Sequence, residues 1–294
     1  MSKNLGRAPA AARIGTIAVA VMAAIGVTAT ALGATTAKNR VTVAAQSVGT
    51  ATAECDSGRT AVAGGFSSPQ FTPGDNGGGV VRLTSKLAGK QGVVTKGFNF
   101  SRAPSDLASF AYCVKHAHGL EIQRSKVFVG PDSPISAVAT CRRGTKVVGG
   151  GFGTPGFGTD GGPRVLTLTS KRVGQRGWRV EAINLNDDGS SSGRPGTLLA
   201  YAYCESRPPK LVTESKRIEV MPRDAQTAQA DCPSGATAYS GGFDGNLHLT
   251  SEASATGAVT SKRAGGGHSW RVRALDVSDS VPAHLTVYAY CRGG

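Results

Sequence analysis

The sequence predicts an all-β protein of three tandem, homologous, small β-sandwich-like domains, each closed by one internal disulfide. Three observations carry that expectation. A frame of Cys, two residues, Gly, five residues and Gly-Gly-Phe recurs as CDSGRTAVAGGF at 55–66, CRRGTKVVGGGF at 141–152 and CPSGATAYSGGF at 232–243. A second frame, Leu, two residues, an aromatic and Ala-Tyr-Cys, closes each unit at 107–113, 198–204 and 285–291. The composition, with Gly at 41 of 294 positions and much Val, Thr and Ala, favours short strands and tight turns. No apolar period of 3.6 residues is sustained outside the N-terminal segment. The alternative arrangement is a pseudo-three-fold, β-prism-like assembly of packed units.

The first 37 residues read as a transport signal. Lys3, Arg7 and Arg13 precede an apolar run from Ile14 to about Val27, and small residues lead to Thr35-Thr36-Ala37. A positive start, a short apolar core and a small-residue exit describe a secretory signal peptide. Cleavage is expected near Ala37, and Ala29-Thr30-Ala31 also fits. The rival reading is an uncleaved anchor over Ile14 to Gly33, which is just long enough to span but diluted by Thr and Gly. Those three cations leave 30 basic against 19 acidic residues after Ala37, a net charge of +11. A basic exported protein is drawn to polyanions.

The self-similarity extends beyond the two frames and divides the chain. Repeat 1 is placed at 40–115, a linker at 116–126, repeat 2 at 127–206, a linker at 207–217 and repeat 3 at 218–294. Each repeat opens with a strand signal: Val41 and Val43, Val127 and Val129, Ile218 and Val220. Alanines stand four and two residues before each first Cys, at 51 and 53, 137 and 139, and 228 and 230. That spacing puts them on one strand face. After Gly-Gly-Phe comes Thr-Ser-Lys at 84–86, 169–171 and 260–262, then Val93, Trp178 or Trp270. A period of 86 to 91 residues suits a β unit of five or six strands. Both linkers are polar, and Pro208-Pro209 disfavours helix.

Six cysteines allow fifteen pairings. Export to an oxidising compartment and the triplication reduce these to Cys55–Cys113, Cys141–Cys204 and Cys232–Cys291. Closing a loop of about 60 residues stabilises by about 4 kcal/mol on the chain-entropy argument. A metal site would need further ligands, and no repeated His or acidic cluster accompanies the pairs. Paired glycines inside a strand mark a bulge or a close backbone approach, which makes Phe66, Phe152 and Phe243 core anchors. Trp178 and Trp270 also read as core. A phosphate-cradling glycine loop would need a following helix, and none is signalled.

No catalytic constellation repeats. His116, His118, His248, His268 and His284 occupy unrelated places, and His116 and His118 read as solvated linker. The Asp-bearing loops at 74–77 and 159–161 carry too few acids for a calcium cage. The candidate binding feature is the hairpin after Thr-Ser-Lys. It holds Lys86, Lys90 and Lys96 in repeat 1. Repeat 2 carries Lys171, Arg172, Arg176 and Arg179 with Glu181, and repeat 3 carries Lys262, Arg263, Arg271 and Arg273. Alternation turns Trp178 and Trp270 inward and Arg179 and Arg271 outward. Three basic ribbons on one chain would add by avidity where they engage together. The bland reading is a solvated hairpin whose cations discourage edge aggregation.

The pattern Cys…Gly-Gly-Phe…Trp-x-Val…Tyr-Ala-Tyr-Cys, with this leader, resembles secreted Cys/Gly-rich β-repeat proteins of high-GC Gram-positive bacteria. The resemblance covers 41–291, though repeat 1 lacks the Trp. It implies export and a disulfide-bearing β module, and it transfers no catalytic residue. The expected function is non-catalytic binding of an anionic or carbohydrate polymer at the cell envelope. The alternatives are a purely structural extracellular protein, and an enzyme whose site is confined to one repeat. No cofactor, no metal, no specific nucleic-acid partner and no membrane association after cleavage are expected.

Overall fold

The computed structural model describes residues 28–29, 34–70, 80–131, 134–155, 165–184, 195–245, 247–248, 254–276 and 280–293. Most of the segment read as a leader and the two Asp-bearing loops lie outside the described residues. A short strand, β1 (Thr28–Ala29), precedes the repeats. Repeat 1 contributes β2 (Thr35–Val43), β3 (Val48–Glu54), β4 (Thr60–Ser67), β5 (Val80–Ala88), β6 (Gly92–Asn99) and β7 (Ser105–Val114). Repeat 2 contributes β8 (Glu121–Val129), β9 (Ile135–Thr140), β10 (Lys146–Gly153), β11 (Val165–Val173), β12 (Gly177–Asn184) and β13 (Gly196–Glu205). Repeat 3 contributes β14 (Leu211–Val220), β15 (Ala225–Asp231), β16 (Thr237–Gly245), the short β17 (Leu247–His248), β18 (Ser254–Ala264), β19 (Ser269–Asp276) and β20 (Ala283–Arg292).

The chain is all-β, as the sequence predicts, and its three antiparallel sheets are each shared between two repeats. Sheet I runs β2-β7-β4-β18-β19-β15, with β1 outside β2. Sheet II runs β8-β13-β10-β5-β6-β3, and sheet III runs β14-β20-β16-β11-β12-β9. Every repeat gives its first, last and Gly-Gly-Phe strands to one sheet and three other strands to another, the short β17 pairing only with β18. The exchange is cyclic, so the units form the packed, pseudo-three-fold arrangement rather than separate beads.

The two recurring motifs meet at the seams. In sheet I, Ser67 pairs with Thr260 and Phe66 with Ser261. Sheet II pairs Phe152 with Ser85 and Gly153 with Thr84. Sheet III pairs Phe243 with Ser170 and Asp244 with Thr169. Thus the Gly-Gly-Phe of one repeat lies against the Thr-Ser-Lys of the repeat before it in cyclic order. Bulges stand beside the seam on both sides, as between Val147 and Gly149 and between Arg82 and Thr84. Such bulges bend a strand out of its own ladder. Beyond the paired residues, the N–H after Thr-Ser-Lys is taken by a tyrosine hydroxyl of the neighbouring repeat. Leu87 N donates to Tyr203 Oη at 2.8 Å, Arg172 N to Tyr290 Oη at 2.7 Å and Arg263 N to Tyr112 Oη at 2.6 Å. The tyrosine of Ala-Tyr-Cys recurs because it satisfies a backbone donor that the sheet leaves open.

Each glycine of the pair has its own reason. A Cβ on the first would collide with the core residue of its own repeat: 2.2 Å from Trp178 at Gly150, 2.1 Å from Trp270 at Gly241 and 2.7 Å from Val93 at Gly64. A Cβ on the second would strike the neighbouring repeat, at 2.4 Å from Ser85 O in the case of Gly151, and also the Tyr203 Oη of its own repeat at 2.4 Å. The three phenylalanines, each no more than 3% exposed, meet one another. Their centroids lie 6.1, 6.5 and 6.3 Å apart, and all three pairs are edge to face. They mark the pseudo-three-fold axis, around which β4, β10 and β16 touch mutually. Trp178 and Trp270 are 1% exposed. Their indole N–H groups donate to Ser170 Oγ and Ser261 Oγ, the Ser of Thr-Ser-Lys, at 3.0 and 2.9 Å.

The disulfides are Cys55–Cys113, Cys141–Cys204 and Cys232–Cys291, with Cα separations of 5.6–5.7 Å. Each ties two sheets together. Cys55 follows β3 of sheet II while Cys113 belongs to β7 of sheet I, and the other two bonds repeat the pattern. The linkers are shorter than their polarity suggests. Residues 121–129 and 211–220 are edge strands, whose outward positions carry charge and so hide the strand period.

β2 begins at Thr35, and Thr35, Thr36 and Ala37 pair with Cys113, Tyr112 and Ala111. Cleavage at Ala37 would remove those pairs, whereas the exit at Ala31 leaves β2 whole. N-terminal sequencing of an exported chain is therefore expected to start at Leu32; a start at Lys38 would show the pairs to be dispensable. Gly151→Ala should cost about 1–3 kcal/mol by overpacking and lower the melting temperature by several degrees. Gly130→Ala, with nothing within 4 Å of its Cβ, should leave it unchanged. Residues 120–206 alone should give no cooperative unfolding transition by circular dichroism, because each sheet they enter is half missing.

Candidate functional site

Side chains paired across neighbouring strands share a face, so the registers give the outer surface of each sheet row by row. On sheet II one row joins Arg124, Tyr201 and Gly151, with Lys86 and Val94 continuing it on the far side of the seam. The next row joins Lys126, Leu199, Gly153, Thr84 and Lys96. These rows hold four cations and no acid. Between them lies a groove of about 360 Å³, lined by Lys86, Lys96, Thr84, Val94 and Tyr201 among others. The Lys86 ammonium sits 5.1 Å above the Tyr201 ring, a cation–π seat that holds it at the seam.

Sheet I has a similar face. Lys38 and Arg40 of β2 pair beside Phe110 and Ala108, while Lys262, Arg271 and Arg273 stand across the seam. Lys38 and Lys262 lie 5.7 and 5.3 Å from the Phe110 centroid. Burial, and then the like charges of Lys38, Arg271 and Arg40, hold the Lys262 ammonium below the usual lysine range. One carboxylate offsets this cluster: Asp106 pairs with Arg40 at 3.2 Å. Arg271 is also hydrogen-bonded to Gln229 Oε1 at 2.8 and 3.1 Å.

Sheet III departs from the expectation of three equal basic ribbons. Lys171 is paired with Asp244, which comes from repeat 3 across the seam, and Arg179 with Glu181 at 2.5 Å. Arg176 is turned back onto Cys141 O at 2.6 and 3.0 Å. Arg172 and Arg263 also lie off the outer ribbons. They pair with Trp178 and Trp270 on the inner side, and their guanidinium groups lie 4.8 and 4.3 Å from the Tyr290 and Tyr112 centroids. The equivalent residue in repeat 1 is the buried Leu87, which shows what the position asks for. Lys90 is exposed at the β5–β6 turn, apart from the groove. Sequence reasoning missed Lys38, Arg40, Arg124 and Lys126. Their signal was cations spaced by two on strands that read as leader exit or linker.

A second feature breaks the pseudo-symmetry. The residues following the closing cysteines are Val114, Glu205 and Arg292. Glu205 is 1% exposed and accepts a hydrogen bond from Tyr239 Oη at 2.9 Å. Burial pushes its carboxyl up, while the Tyr239 hydroxyl, the His118 backbone N–H and the Arg292 charge act the other way. The hydroxyl of Tyr239 is itself raised, first by burial and then by the Glu205 charge. Among the described residues no group of His, Cys, Asp or Glu is arranged to hold a metal ion.

The raised Glu205 carboxyl makes a signed prediction. The folded chain holds this proton more tightly than the unfolded chain, where the carboxyl titrates near 4.3. Its contribution is therefore fully present below that pH and is lost as pH rises through the raised value. Glu205→Gln keeps an acceptor for Tyr239. Its melting temperature should match wild type near pH 4 and exceed it at neutral pH, and a difference independent of pH would refute the assignment. Compared with protein-family models and with curated proteins, the chain matches none, so the functional reading rests on this geometry.

Proposed function

We propose that the protein is a secreted, non-catalytic binding protein of the cell envelope that takes an anionic or carbohydrate polymer along the outer faces of sheets I and II. The observation that carries the reading is the outer face of sheet II, where Lys86, Lys96, Arg124 and Lys126 stand in two adjacent rows with no carboxylate between them, Lys86 and Lys96 lining the groove. A polymer crossing that face meets a cation on β8, β5 and β6 in turn, on strands about 4.8 Å apart. The site is composite, half from repeat 1 and half from repeat 2, so it exists only in the closed assembly. Two basic faces lie on different sides of the molecule, which suits bridging between polymer chains better than joint engagement of one chain. Sheet III, neutralised by Asp244 and Glu181, takes no part. The leader, the disulfides and the net positive charge support an extracellular setting.

Retention of the full chain on an immobilised anionic polymer should fall steeply with salt, as counterion release requires. Lys86→Gln, Lys96→Gln and Lys126→Gln together should weaken binding about tenfold, from contacts of roughly 0.2–1 kcal/mol each. Lys171→Gln with Arg179→Gln should leave it unchanged. Equal loss in both variants, or no loss in either, would overturn the assignment to sheet II.

A further inference from the structure

The strands of all three repeats that bear the closing cysteines end around one cavity of about 460 Å³. Val114, Glu205 and Arg292, equivalent by the repeat, all line it, together with Tyr239 of β16 and the two inter-repeat linkers. Three-fold repetition would put the same residue at the three equivalent places. The chain instead has an apolar, an acidic and a basic residue there. At the matching positions of β4, β10 and β16 it has Val62, Val148 and Tyr239, so the tyrosine is unique as well.

The cavity divides into a sealed floor and a charged rim. On the floor, Glu205 spends its oxygens on the Tyr239 hydroxyl and the His118 N–H, and it is almost wholly covered. The rim carries the exposed side chains of Lys115, His116, His118, Arg207 and Arg292. Among the described residues, Lys115, Arg207 and Arg292 enter no ion pair, whereas Lys171 and Arg179 on sheet III do. The rim is also held in place. Ser206 N and Ser206 Oγ both donate to His118 O at 3.1 Å, tying one linker to the other, and Pro208-Pro209 stiffens the second. Exposed cations stand around a concavity whose one carboxyl, Glu205, is covered on the floor and forms no ion pair with them within 4 Å, an incomplete charge arrangement that a ligand would complete.

We propose that this cavity is a binding site for a compact oxyanion carrying two or more charges, of phosphate or carboxylate type, separate from the polymer face on sheet II. Its volume of about 460 Å³ is in the range of small-molecule sites. Arg207 and Arg292 provide the planar forks that grip an oxyanion in two places, and Lys115 adds a point charge. Glu205 opposes the ligand's charge, so its covered position and its hydrogen bonds keep that opposition small. The site draws on repeats 1, 2 and 3 together and, unlike the sheet faces, occurs once per chain.

Isothermal titration calorimetry of the full chain with inorganic pyrophosphate and, separately, with citrate tests this and distinguishes the two oxyanion types. At least one probe should bind saturably at one site per chain. Arg207→Gln with Arg292→Gln should weaken that binding by about tenfold or more, and Glu205→Gln should tighten it severalfold. Lys86→Gln with Lys96→Gln, which weakens polymer retention, should leave it unchanged. Absence of saturable binding of both probes at millimolar concentration would overturn the proposal, as would binding indifferent to the arginine pair. Failure of polymer retention alone would bear only on the sheet II reading.

Discussion

Two residue pairs at each seam decide whether this molecule exists. The strand bearing Gly-Gly-Phe pairs in register with the strand bearing Thr-Ser-Lys of another repeat at two positions, and the bonds Ser68 N to Val259 O and Thr154 N to Leu83 O extend two of these seams. Without those contacts every sheet is a three-stranded fragment with an open edge and an uncovered apolar face. The two glycines allow the approach, the tyrosine hydroxyl takes the backbone donor that the parting strands leave over, and the phenylalanines fill the axis where the three seams converge. Sequence, backbone and packing constrain one another most closely here. A bulkier residue at Gly151 disturbs a carbonyl of another repeat, 66 residues earlier in the chain.

The disulfides act in the orthogonal direction. Each is closed within a repeat, yet it joins two sheets, because the repeat itself is divided between sheets. The chain-entropy effect, about 4 kcal/mol for each loop of about 60 residues, therefore also fixes the angle between layers. Such covalent support suits a fold whose repeats each have a small core of their own. The same division produces the functional surface. Lys86 and Lys96 come from one repeat, while Arg124, Lys126 and Tyr201 come from the next, so the basic face appears only when the ring of repeats closes.

Much of this was legible in the residues. The strand period, the cysteine pairs and the inward tryptophans follow from spacing, and a close approach at Gly-Gly-Phe follows from glycine chemistry. The partner in that approach could not be read. Every repeat carries both halves of the seam, so contact within a repeat and contact between repeats leave the same pattern in the sequence. The candidate site was half legible for the same reason. Lys86 and Lys96 stood out, but Asp244, which neutralises Lys171, lies 73 residues away and is brought across only by the exchange. Arg124 and Lys126 sat in an edge strand whose charged outer positions imitate a linker. The cavity with Glu205 and Tyr239 had no signature, because the three segments that form it are far apart in the chain and each is ordinary alone.

The cyclic exchange also bears on the order in which the repeats can be joined. One connection leads from sheet I to sheet II and another from sheet II to sheet III, each spanning a handful of residues. By the pseudo-symmetry, a step from the end of β20 in sheet III to the start of β2 in sheet I is equivalent to those two. The order of the repeats is then a matter of bookkeeping rather than of architecture. A circularly permuted chain, opened in either linker and joined from the end of β20 to the start of β2, should preserve every seam, every disulfide and both basic faces.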